Sequence, residues 1–515
     1  MIVGIAAVLL ALAALVALTR QLHFLQLNSY YNNRFWEYLR GAFSGVAVCS
    51  LLCAAGLSAL FLLGWDVVFL ITAAITGGIR GVFAVQKIRH AKKKLVFTAR
   101  IKRMFVTAAL LLGAAAAGSF WNRFWALPLM AAVCLMPFFA MLVNLINAPM
   151  EKAIAGWYVG DARRILKDSG VRVIGVTGSY GKTSTKYILG RILSEKYNVL
   201  ITPESYNTLL GVVRTIRERL RPGTQLFIAE MGAKKQGDIE EICRLVQPEI
   251  GVITSIGPQH LNTFGSLENV VTTKFELADS VLSRNGMMFY NADNPFIAEK
   301  ISGMPGIRYG TEHSGRDVFA DGISVSREGL RFTIHAGETE IPVTTRLLGT
   351  HNVLNILAAA AVALHLQTPA RDIAFAVSRL KPAPHRLEPK PFLGGALLID
   401  DAYNANPEGS LEALRVLGSF EGMTRIVVTP GLVELGEREE ECNRRLGEAC
   451  AKNADFSIFV GEKRSVPLLA GAKAAGGECL LVMKTFGDAL AHLRTVCDAN
   501  TVVLFENDLP DNYAG

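Results

Sequence analysis

Between Val171 and Lys186 the chain reads VRVIGVTGSYGKTSTK, an apolar run that opens into a glycine-rich turn ending in Gly-Lys-Thr. A strand, loop and helix start of this kind can hold the phosphates of a nucleotide. The backbone N–H groups of Gly178, Ser179, Tyr180 and Gly181 can point inward, Lys182 can reach the terminal phosphates, and Thr183 carries the hydroxyl that such sites offer to Mg²⁺. Ser184 follows in the same first helical turn and is counted with the nucleotide site. The loop is a shorter variant of the strict phosphate-binding pattern, because Val176 and not glycine stands six residues before Lys182. The cofactors expected here are ATP and Mg²⁺.

Further along, other residues could share that chemistry. Glu230 ends the apolar run in LFIAEMGA, where a carboxylate can face the phosphate loop from a neighbouring strand and hold Mg²⁺ directly or through water. A carboxylate at a strand end can equally cap a helix, and it is the upstream loop that favours the metal. His260 follows the next strand in ITSIGPQHLNTFGS, and its position alone decides little. Lys274 is more telling: in LENVVTTKFELADSVL it lies in the same helical stripe as Val270, Leu277, Ala278 and Val281. A cation there is costly to bury unless it is paired, snorkels or is chemically changed. Addition of CO₂ would turn it into a carbamate able to ligate Mg²⁺. In GTHNVLNILAAAAV, Asn352 and Asn355 beside His351 could read an adenine edge or cap the Ala-rich helix. Arg386, in HRLE, is a candidate clamp on phosphate oxygens, and IDDAYNANPEGS leaves a strand with Asp400, Asp401, Tyr403, Asn404 and Asn406.

The elements that must position these groups fall into two unlike parts. Met1 to Thr19, Ala42 to Gly64, Val67 to about Val85, Met104 to Phe120 and Phe124 to about Ile146 are each close to the length of a bilayer span. About five spans are therefore expected, with nothing comparable after Ala148. No basic residue precedes the first apolar run, which argues against a cleaved signal peptide. Lys87 to Arg103 (KIRHAKKKLVFTARIKR) holds eight Lys or Arg and no acid. The positive-inside rule puts this loop in the cytoplasm, the amino terminus outside, and everything from Glu151 onward inside. Residues 1–150 hold 13 basic and 2 acidic residues, net +11; subtraction from the chain's 53 and 45 leaves 40 and 43, net −3. The basic balance thus reports membrane topology and contact with membrane lipid, not nucleic-acid binding. The eight cysteines show no paired spacing, which excludes a zinc site or a disulfide framework from the expectation.

After Glu151 short β-rich runs alternate with amphipathic helical patterns: Leu226 to Glu230, Ile250 to Ile256, Ala396 to Asp400, Arg425 to Thr429, Phe456 to Val460 and Thr501 to Phe505. The fold class expected is α/β with largely parallel sheets. Alternation between Gly306 and Leu348 suggests a small antiparallel insertion. A Pro-containing segment, Lys381 to Pro389, separates the nucleotide half from a second α/β unit.

Taken in order, TGSYGKTSTK, EMGA, IGPQH, the helix with Lys274, NADN at 291–294, GTHNVLNILAA, HRLE and DDAYNANP resemble the Mur ligases over about Val171 to Phe505. These are ATP-dependent amide-bond-forming enzymes of bacterial cell-wall synthesis. Gly178-Ser179, EMGA and YNANP look like the MurF branch, which adds D-alanyl-D-alanine to a UDP-linked muramoyl tripeptide. Hydropathy assigns 1–150 to a transmembrane helical domain of about five helices, and the resemblance implies a P-loop Mur ligase central domain at 151–384 and a Rossmann-like carboxy-terminal domain at 385–515. It implies that Lys182 and Thr183 hold the β- and γ-phosphates and one Mg²⁺, while Glu230, His260 and a carbamylated Lys274 surround a second. Asn352 would contact adenine, Arg386 the γ-phosphate, and Asp401 the ribose side after domain closure. Lys182, Lys274, His260 and Arg386 would be the catalytic set. Partners would be ATP, a cell-wall precursor carboxylate, an amino-acid or dipeptide amine, and other envelope-synthesis enzymes, at a multi-pass site in the bacterial cell membrane.

Three departures stand out. Membrane spans occupy the place of the soluble domain that grips the UDP-sugar in a typical MurF. Asn207-Thr208 stands where many members carry paired asparagines. ENDLPDNY ends the chain where a Lys-Gly-Ser segment is usual. A Mur-type ligase acting on a lipid-linked precursor or another envelope polymer is therefore the alternative. An ATP-driven transporter is disfavoured by the absence of an LSGGQ-like signature, and a decayed scaffold by the retention of the Lys182, Glu230, His260, Lys274 and Arg386 set.

Overall fold

A computed structural model describes residues 2–28, 30–32, 35–36, 94–204, 206–258, 261–402, 405–433 and 435–507. The chain divides into two compact units, residues 1–157 with 510–515, and residues 158–509.

In the first unit, two described helices are long and apolar enough to cross a membrane: Val3–Leu27, within Ile2–Leu27, and Ala99–Gly118. Buried alanines let them pack closely, Ala7 and Ala14 on one and Ala108 and Ala115 on the other, while Leu9, Leu12 and Leu110 face outward. Two of the expected spans, Ala42 to Gly64 and Val67 to Val85, lie outside the described residues. The last one is not a single straight helix. Ala126–Cys134 and Met136–Ser169 are bent by 106° across Leu135. Pro137 is the cause: it has no N–H to return to residue 133 and its ring crowds that carbonyl, so it fits the first turn of a new helix and not the interior of an old one. Basic residues gather at the start of Ala99–Gly118, where Arg103 Nε lies 2.6 Å from Glu151 and the Arg100 guanidinium lies 3.9 Å over the Tyr30 ring.

The second unit holds two sheets. Strands β1 (Arg172–Thr177), β2 (Val199–Ile201), β3 (Leu226–Glu230), β4 (Ile250–Ile253), β5 (Met287–Asn291), β6 (Ile307–Gly310), β7 (Val318–Ser326), β8 (Gly329–Ala336) and β9 (Thr339–Thr345) form one sheet in the order β2-β3-β1-β4-β5-β6-β7-β8-β9. It is parallel as far as β7 and antiparallel beyond. The alternating stretch after Gly306 is antiparallel over β7 to β9, as expected, and it forms the far edge of the main sheet through the pairing of β6 with β7. Helices Lys182–Leu193 and His351–His365 cover the face bearing Ile174 and Val176; Leu209–Arg219, Asp238–Val246 and Leu267–Leu282 cover the face bearing Val173. Strand β1 lies between β3 and β4, so chain order reverses at its carboxyl end, and a ligand crevice forms where an open α/β sheet does this.

The second sheet runs β10 (Glu388–Pro391), β11 (Leu397–Asp401), β15 (Thr501–Glu506), β12 (Thr424–Thr429), β13 (Phe456–Val460) and β14 (Leu480–Met483), all parallel except β10. Helices on both faces make it a doubly wound unit. The segment between the two sheets carries Arg386, flanked by His385 at φ 57° and Leu387 at φ 43°.

Candidate active site

At the end of β1 the backbone turns through Gly178 (φ 151°) and Gly181 (φ 77°) into helix Lys182–Leu193. A methyl group on Gly178 would come within 2.1 Å of Thr254 Oγ1, and one on Gly181 within 2.7 Å of Asn355 Oδ1, so both positions need glycine for space as well as conformation. The loop is tied to the segment leaving β4. Ser179 N donates to Ser255 O at 2.6 Å, Ser179 Oγ to Gly257 O at 3.0 Å, and Tyr180 Oη to Pro258 O at 2.8 Å. Thr254 Oγ1 donates to Tyr180 O at 2.5 Å. Strand β4 therefore ends at Ile253, earlier than its apolar run suggests, because Thr254 to Pro258 serve the phosphate loop. The side chains of Ser179 and Tyr180 shape the loop itself.

Lys182 Nζ folds back on that loop, donating to Gly178 O at 2.7 Å and Ser179 O at 2.9 Å. Burial lowers its pKa to about 8, Glu230 opposing and Arg386 adding to the fall. Next to it, the Thr183 hydroxyl lies 3.1 and 3.0 Å from the two Glu230 oxygens. Glu230 is buried at the end of β3, beside Val176 in register. Asn207 Nδ2 donates to its Oε1 and Lys186 Nζ to its Oε2, both at 2.9 Å. Burial alone would raise this carboxyl, but Lys186 and then Lys182, with those hydrogen bonds, hold it below the usual carboxylate range. Hard oxygen donors and nearby ammoniums suit Mg²⁺ with phosphate.

Lys274 is 2% exposed. Its nearest aromatic neighbour is the Phe264 ring, at 5.9 Å from Nζ. Burial, reinforced by Lys182, lowers its pKa to about 7, with Glu276 and Asp238 opposing. His260 lies outside the described residues, as do Tyr403 and Asn404. Asn352 and Asn355 start the Ala-rich helix, but their amides are engaged internally. Asn352 donates to Leu348 O at 2.8 Å and accepts from Asn355 at 3.0 Å, while Asn355 Oδ1 accepts from Thr185 at 3.1 Å. These bonds use one N–H and one lone pair of the Asn352 amide, which leaves it one further donor and one further acceptor position.

Arg386 acts electrostatically on Lys182, His351, Asp401 and Glu506, so it stands between the phosphate loop and the strand ends of the second sheet. Asp401 accepts from Leu387 N at 3.1 Å and is the register partner of Glu506. Glu506 is fully buried; Ser410 Oγ donates to its Oε1 at 2.5 Å, while Oε2 receives no hydrogen bond from a described residue. Burial, and then the Asp401 charge, push its pKa well above the usual carboxyl range. An acid whose folded pKa is raised adds stability below its unfolded pKa, and that contribution is lost as pH rises through the folded value. Chemical denaturation from about pH 4.5 upward should therefore show a component of stability that falls with rising pH in the native protein and is missing in Glu506→Gln. Parallel profiles would refute the protonated state.

Lys186 and Glu506 were not among the sequence-derived site residues. Lys186 had a signal, one helical turn after Lys182 on a helix start; Glu506 had one only as a departure from the Lys-Gly-Ser pattern. A second group with ligand chemistry, His385, Glu388 and Asp400, is already bridged by Lys390, whose Nζ lies 2.8 Å from Glu388 and 2.7 Å from Asp400.

Residues 176–363 match the Mur ligase middle domain and residues 385–506 the Mur ligase, glutamate ligase domain. The UDP-N-acetylmuramoyl-tripeptide–D-alanyl-D-alanine ligase of Bacillus subtilis (strain 168) is 32% identical over 312 residues, 60% of this chain and 67% of its own length. The enzyme of the same name from Escherichia coli (strain K12) is 34% identical over 296 residues, 57% and 65%. The chain thus spans about two thirds of the length of these relatives. The crystal structure of MurF ligase from Thermotoga maritima in complex with ADP superposes with TM-score 0.61 at 26% identity, covering 70% of this chain and 81% of that one. With the phosphate loop, the strand-end carboxylate and the linker arginine lying inside the matched segments, the chain belongs to the Mur ligase family of ATP-dependent, ADP-forming peptide ligases.

Proposed function

We propose that this protein is a membrane-embedded ligase of the MurF type, joining D-alanyl-D-alanine to a muramoyl tripeptide in peptidoglycan synthesis. The observation that carries the reading is the cluster at the switch point of the first sheet, with Thr183 hydrogen-bonded to Glu230, Lys182 beside them on the loop carbonyls and Lys274 close enough to act on Lys182. The acceptor carboxylate would attack the γ-phosphorus of ATP, expelling ADP. The amine would then attack the acyl phosphate carbon, and phosphate would leave through a tetrahedral intermediate with loss of a proton from nitrogen. When bound, Mg²⁺ would supply charge for the transferring phosphoryl group; Thr183 would hold one ion, and Glu230, His260 and a carbamylated Lys274 a second. Lys182 would leave the loop carbonyls for the β- and γ-phosphate oxygens. Arg386 would clamp the γ-phosphate and Asp401 meet the ribose as the two sheets' domains close, with functional boundaries near residues 150 and 384. A Lys274 amine with pKa about 7 is substantially uncharged at neutral pH, the form that adds CO₂.

A lipid-linked acceptor is the second reading, favoured by the apolar helices that precede the matched segments. Either way the catalytic units would lie in the cytoplasm beside the membrane. ADP release by detergent-purified protein, given ATP, Mg²⁺ and D-alanyl-D-alanine, separates the two. Turnover on UDP-muramoyl tripeptide supports the first; turnover only on its lipid-linked counterpart supports the second, and turnover on neither refutes both acceptors.

A further inference from the structure

Lys186 is fully buried one helical turn beyond Lys182. Its Nζ lies 2.9 Å from Glu230 Oε2 and also donates to Glu204 O. A buried ammonium is expensive to desolvate and persists where it is paired. Here the pairing serves Glu230 as much as Lys186. Lys182, the other cation at hand, has its ammonium on the carbonyls of Gly178 and Ser179, so it makes no hydrogen bond to the carboxylate. Thr183 and Asn207 orient Glu230 but carry no charge. Lys186 is therefore the cation hydrogen-bonded to a 1% exposed carboxylate next to the phosphate loop.

We propose that Lys186 is a positioning residue, the built-in counter-ion of Glu230, which holds that carboxylate turned toward Thr183 until a divalent cation arrives to share it. The proposal rests on the nucleotide-site reading above. Two positive charges that use one carboxylate oppose each other, so Lys186 holds the affinity for Mg²⁺ below what Glu230 alone would give. By reciprocity, the bound cation reduces what Lys186 contributes to stability. A residue that merely filled space would weaken the fold equally with and without the cation.

The test measures thermal unfolding of the full chain in detergent, with ADP plus EDTA and with ADP plus Mg²⁺, for wild type, Lys186→Met and Lys186→Arg. Lys186→Met should melt on the order of 5 °C lower in EDTA. Its gain on adding Mg²⁺ should exceed that of wild type, with a half-saturating Mg²⁺ concentration about five- to tenfold lower. Lys186→Arg should stay near wild type. Adding Glu230→Gln to Lys186→Met should recover much of the loss in EDTA and abolish the extra gain, which keeps the test readable if the single variant folds poorly. Equal gains in wild type and Lys186→Met, or a smaller one in the variant, overturn the counter-ion role alone. A wild type with no Mg²⁺-dependent gain overturns the nucleotide-site reading and this proposal together.

Discussion

Lys182→Met should reduce ATP-dependent ligation by about a thousandfold or more while leaving the melting temperature at or slightly above that of wild type. Phosphoryl transfer leaves the protein little to do beyond positioning and charge stabilisation, and removing one such donor from a water-poor site typically costs ~10²–10³ in rate. The side chain's two hydrogen bonds go to loop carbonyls, Gly178 O and Ser179 O, that Lys182 would exchange for phosphate oxygens. Burial already depresses its pKa to about 8, so replacing the ammonium with a thioether relieves a desolvation cost. Steady-state kinetics paired with thermal unfolding checks both halves. Activity within tenfold of wild type would remove Lys182 from the chemistry, and a large drop in melting temperature would make it a structural residue.

Lys274→Ala should lose about a hundredfold or more in turnover, and acetate or propionate should restore part of it. The truncation leaves a cavity against Phe264 in which a short carboxylate can place its charge where a carbamate would stand. Because burial and Lys182 bring the amine to about 7, CO₂ addition falls off as pH drops below that value and the amine protonates, so turnover of the native enzyme should fall on the same side. The rescued variant should lack that acidic limb. An intact fold without recovery at any carboxylate concentration would count against the carbamate.

Local pattern made much of this site legible. The Gly-Lys-Thr after an apolar run placed Lys182 and Thr183 at a helix start, and Lys274 stood out as a cation in an apolar stripe; the structure finds it 2% exposed. Strands such as Phe456–Val460 were readable because Ile458 and Phe459 are buried on opposite faces and the run is broken only by Ser457. What depends on distant partners was not readable. That Ser179 and Tyr180 serve the loop follows from Ser255, Gly257 and Pro258, more than seventy residues away. Asn352 is engaged by Leu348 and Asn355, and the pairing of β6 with β7 joins the hairpins to the main sheet. Pro137 was visible, yet hydropathy alone counts residues and overlooks the bend it makes.

His385 and Leu387 hold left-handed backbone conformations on either side of Arg386, which costs roughly 1 kcal/mol or more for each residue with a Cβ. The connection is kept in that state by Glu388, which accepts from His385 N at 3.0 Å, by Asp401, which accepts from Leu387 N, and by burial of the Leu387 side chain. Each residue can relax only by crossing the sterically forbidden region near φ 0°. Swinging Arg386 by rotation about either flanking residue would therefore have to cross a steric barrier, so the joint resists free pivoting and behaves as a latch.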